Sequence, residues 1–160
     1  MGTWTHIRTE EKLGNYLSKT FQSFVHGPEI DGETCELHQI EKLLNQDLSL
    51  FTIRNYSGLW HEDEFPEDPI ERGRLIAKQI ENDKIWNDIV EFLKIVAILK
   101  SELESGFFLR NKLIHKQAWW DGYFAPNAAG DCLVRDLQEI ETFLIDAKNN
   151  GQTKTAFYVD

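Results

Sequence analysis

The sequence predicts an all-α protein, an antiparallel helical bundle of four long helices plus a shorter one. Apolar residues recur at intervals of three and four through most of the chain, the period of a helix with one buried face. Strand-like alternation is nearly absent, and the breaks between periodic stretches carry helix start and stop residues. Such amphipathic helices bury their stripes only against one another, hence a bundle.

Each element has its own signals. A first helix is expected from about Thr9 to His26, with Leu13, Leu17, Phe21, Phe24 and Val25 on one side and Gly27-Pro28 as its stop. A second, about Gly32 to Arg54, has Leu37, Ile40, Leu44, Leu48 and Phe51 at helical spacing. The following NYSGLWHEDEFPEDP reads as an acidic loop with Trp60 and Phe65 as anchors. Asp68-Pro69-Ile70-Glu71 then signals a helix start, with Asp68 as cap and Pro69 at the first helical position, and this third helix runs to about Glu81.

Asn82-Asp83 can cap a fourth, long helix carrying Ile85, Trp86, Ile89, Leu93, Val96, Leu99 and Leu103, with a bend or break near Ser105-Gly106. FFLRNKLIHKQAWW, Phe107 to Trp120, reads as helix, and DGYFAPNAAG after it as turn. A last helix has Leu133, Leu137, Ile140, Phe143 and Leu144 inward and ends at Asn149-Asn150-Gly151. The tail, residues 152–160, favours β conformation but is short, and is expected to fray or dock on a neighbour.

Composition bounds the function. A chain of 160 residues fits one domain spanning 1–160. With 41% hydrophobic residues it is too apolar for a disordered protein. The formal net charge of -10 excludes a broad basic surface for nucleic acid, so any grip on a polyanion must come from a few placed cations. Cys35 and Cys132 stand far apart with no zinc-type spacing and read as free thiols in a reducing compartment, which makes the expected location cytoplasmic. Glu91 and Lys94 interrupt the longest apolar run and the first residues have no apolar signal core, so neither a membrane span nor a secretion signal is expected.

The chemistry-bearing residues lie in RNKLIH. On a helix, where each residue advances about 100°, Asn111 and His115 share a face, whereas Arg110 is displaced from His115 by about 140°. A composite site would resolve that geometry, with the arginine of one chain approaching the histidine of its copy across a dyad. From composition alone, an Arg-Asn pair with a histidine five residues after the arginine is expected about 0.01 times in this chain. The constellation therefore stands above chance.

RNKLIH resembles the R-N-x-x-x-H motif of the HEPN superfamily, small all-α domains that commonly dimerise with the motif helices at the interface. Many of them are metal-independent endoribonucleases. The resemblance implies an HEPN-like domain with Arg110, Asn111 and His115 catalytic, an RNA substrate, a homodimer through the Arg110 to His115 helix, and no cofactor or metal. Lys112 and Lys116 are the further cations expected to bind substrate. A toxin or phage-defence effector with an antitoxin or other partner protein is the biological setting it implies. Some toxins of that group carry a tyrosine two residues after the histidine, as a nucleotide acceptor; Gln117 stands there in this chain.

These residue types suit RNA cleavage. Without a metal, scission uses the RNA's own 2′-hydroxyl and leaves a 2′,3′-cyclic phosphate and a 5′-hydroxyl. His115 titrates near neutrality and can take or give the proton. Arg110 presents a fixed fork of donors to phosphate, and Asn111 can orient the imidazole or hold a phosphate oxygen. The alternative is a non-catalytic HEPN-like helical module that binds a nucleotide or a protein partner. Trp119, Trp120, Tyr123 and Phe124 are expected to pack a loop rather than stack bases. His61-Glu62-Asp63-Glu64 lacks the second histidine of a metal motif and reads as acidic surface.

Overall fold

The computed structural model describes residues 5–51, 66–82, 86–106, 113, 119–125 and 130–159. It is built on a four-stranded antiparallel sheet of order β2-β1-β4-β3, which makes the protein mixed α/β. The all-α bundle predicted from apolar spacing is overturned by this sheet.

Two strands precede the first helix, and the second of them replaces the front half of the helix expected from Thr9. Thr5–Arg8 forms β1 and Leu13–Tyr16 forms β2. Thr9 closes the turn between them: its N–H donates to the Lys12 carbonyl (2.8 Å), and its hydroxyl accepts the Lys12 N–H (3.0 Å). The pairing is His6 with Tyr16 and Arg8 with Leu13, with a register shift between. That irregularity places Leu13 and Tyr16 on one sheet face although they stand three positions apart in sequence, an odd interval that a regular strand puts on opposite faces. Leu13, read as core, is exposed.

Helix α1, Lys19–Asp31, starts where Ser18 caps it, the hydroxyl accepting the Phe21 N–H at 3.0 Å. It runs through Gly27-Pro28, the expected stop. Proline removes one helical donor, but Phe21, Phe24 and Val25 are fully buried one turn earlier and hold the helix in place. A 3-10 turn, Gly32–Thr34, leads to α2, Glu36–Leu44. This second helix ends well short of Arg54, because Asn45 adopts the left-handed conformation (φ 48°) that asparagine tolerates. Leu48 and Phe51 still reach the core, through a second 3-10 turn, Ser49–Phe51.

Helix α3, Pro69–Asn82, begins at the predicted position, with the Ile70 N–H donating to the Asp68 carboxylate at 3.3 Å. Asn87–Asp88 forms the short β3, and Asp88 then caps α4, Ile89–Glu104, accepting the Glu91 N–H at 3.0 Å. Trp86 therefore precedes the fourth helix instead of starting it. Gly106, at φ 74°, turns the chain away after α4. The short α5 is Trp119–Tyr123, and α6 is Leu133–Asn149, which packs on α4.

The tail expected to fray is β4, Lys154–Val159, an inner strand of the sheet. It pairs with β1 from Thr5–Val159 to Arg8–Ala156 and with β3 at Thr155 and Lys154. Phe157 lies among Phe21 (5.3 Å), Phe92 (5.5 Å) and Phe51 (6.0 Å) between ring centroids. One sheet face thus joins the helical core formed by α1, α4 and α6. The other bears His6, Arg8 and Ala156, all buried. No helix among the described residues is long and apolar enough to cross a membrane.

Candidate functional site

The expected site residues Arg110, Asn111, Lys112, His115 and Lys116 lie outside the described residues. So does the acidic His61 to Glu64 stretch. Within the motif the structure describes Leu113 alone. It is buried in the main core cluster and has no regular secondary structure. Apart from Leu113, residues 107–118 of the expected helix lie outside the described residues, and Leu113 itself is not helical.

The elements on either side of the motif are firmly built. Before it, Leu103 is fully buried and accepts the Gly106 N–H at 3.0 Å. After it, Trp120, Tyr123 and Phe124 are buried around Phe24, with Trp120 and Phe124 stacked at 5.5 Å and 11°. These three rings pack, as expected. They offer no open face to a base.

A buried polar group joins the start of α1, the end of α5 and the first turn of α6. The Ser18 hydroxyl (2.6 Å) and the Tyr123 hydroxyl (2.9 Å) both donate to Asp136 Oδ2, and the Ser18 N–H donates to Oδ1 (3.1 Å). Burial raises the Asp136 carboxyl above its ordinary value, and the hydrogen bonds from Ser18 and Tyr123 oppose that shift. Burial and the facing carboxyl push the Tyr123 hydroxyl well up, so it stays a donor. Chemically this is a satisfied network that fixes three elements, with the Ser18 and Tyr123 hydroxyls both spent on the Asp136 carboxylate. One signal for it was present: Asp136 falls on the apolar stripe of Leu133, Leu137 and Ile140, where an aspartate is tolerated only with partners.

A second polar group escaped the sequence reading. His6 and Arg8 are 4% and 5% exposed on one sheet face. His6 Nδ1 lies 3.1 Å from the Gly14 carbonyl, and its ring is 4.1 Å from that of Tyr16. Arg8 donates to the carbonyls of Thr9 (3.1 Å) and Gly73 (3.3 Å), which ties the sheet to α3. These positions appeared only once the sheet was known.

Cys35 and Cys132 are free and buried, and burial pushes the Cys35 thiol up, away from the reactive thiolate. Among the described residues no group of three or more His, Cys, Asp or Glu side chains is placed to hold a metal ion. The fold and its polar groups define a mixed α/β protein with a terminal-strand sheet. Comparisons with protein-family models, curated proteins and solved structures find no match.

Proposed function

We propose that the chain is a metal-independent endoribonuclease whose chemistry is carried by Arg110, Asn111 and His115. The observation that carries this reading is the Arg-Asn-x-x-x-His constellation itself, with its resemblance to the HEPN motif. The burial of Leu113 supports it by tying the middle of the motif to the folded core.

In the proposed reaction His115 draws the proton from the 2′-hydroxyl, whose oxygen attacks the adjacent phosphorus. Arg110 balances the charge that develops on the phosphoryl oxygens, and Asn111 orients the imidazole or a phosphate oxygen. The 5′-oxygen leaves with a proton from a second acid, supplied by the histidine of a partner copy in the dimer that belongs to the proposal. Lys112 and Lys116 hold flanking phosphates. Products carry 2′,3′-cyclic phosphate and 5′-hydroxyl ends.

The net charge of -10 favours a second reading, a non-catalytic module binding a nucleotide or protein partner. Labelled RNA in excess chelator separates the two. With folding and oligomeric state matched, wild type should cleave, and Arg110→Ala and His115→Ala should each lose on the order of 10²- to 10⁴-fold in rate. Cleavage unchanged in both variants, or abolished by chelator, defeats the ribonuclease reading; no cleavage by wild type supports the module. Full activity from a strict monomer in light scattering removes the dimer.

A further inference from the structure

We draw no further inference here: the strongest candidate, the groove of about 470 Å³ between β2 and α6 lined by Ile7, Leu17 and Phe143, carries nothing because nothing among the described residues shows what covers it.

Discussion

Replacing Gly14 by alanine separates the sheet from the helix that apolar spacing predicts there, because the two give opposite signs. In a helix from Thr9 to His26, glycine to alanine at an interior position stabilises by about 1 kcal/mol. In β2 the new Cβ meets the Ile7 carbonyl oxygen at 2.8 Å, the Ile7 Cγ2 at 2.9 Å and Phe143 at 3.1 Å. A backbone oxygen cannot rotate away, so β1 and β2 must separate or α6 must shift. Overpacking of this kind costs about 1–3 kcal/mol. Alanine recovers about 0.4–1 kcal/mol by restricting the unfolded chain, which leaves a net loss of roughly 0–2.6 kcal/mol, centred a little above 1 kcal/mol. Urea unfolding followed by far-ultraviolet circular dichroism reads this directly, and a thermal scan reads it as a Tm decrease of about 2–4 °C per kcal/mol for a chain of this size. A Gly14→Ala variant more stable than wild type by about 1 kcal/mol, the helix outcome, would refute the close β1–β2 approach.

Beyond the RNA cleavage described above, two further outcomes are expected. Phe157→Ala empties a site bounded by Phe21, Phe51 and Phe92 and should destabilise by about 3–5 kcal/mol in the same unfolding experiment; a loss below 1 kcal/mol, the scale of a surface change, would place β4 outside the core. Asp136 has a folded pKa raised above 3.8, so over the window above 3.8 the folded state holds more protons than the unfolded one and stability falls as pH rises. Wild type should accordingly lose stability relative to Asp136→Asn as pH is raised through that window, and a gap moving the other way would contradict the burial of this carboxyl.

Much of the helical part was legible. α6 ends at Asn149 before Asn150-Gly151 as its stop residues indicate, α3 starts at Pro69 behind Asp68, and α4 breaks at Ser105-Gly106. In each the signal is local: a cap, a proline or glycine, and a stripe within a few turns. The sheet has no such signal. Each strand is short, the central pair joins residues 5–8 to 156–159, and only that distant partner explains why Thr5 and Ile7 are buried. Leu13 satisfied helical spacing and yet lies exposed on β2, because periodicity alone does not distinguish a helical stripe from a bulged strand. For the candidate site, residue types at Arg110, Asn111 and His115 were readable. Their placement lies outside the described residues, of which Leu113 alone falls within the motif.

The inner position of β4 has a consequence for synthesis. While the ribosome makes everything between Arg8 and Lys154, β1 has β2 on one side and nothing of its eventual partner on the other. At roughly 5–20 residues per second that interval is on the order of 10 s. For that time the β1 edge and the place of Phe157 stand open, so β4 acts as the keystone of the sheet and the core closes only once residues 154–159 are made.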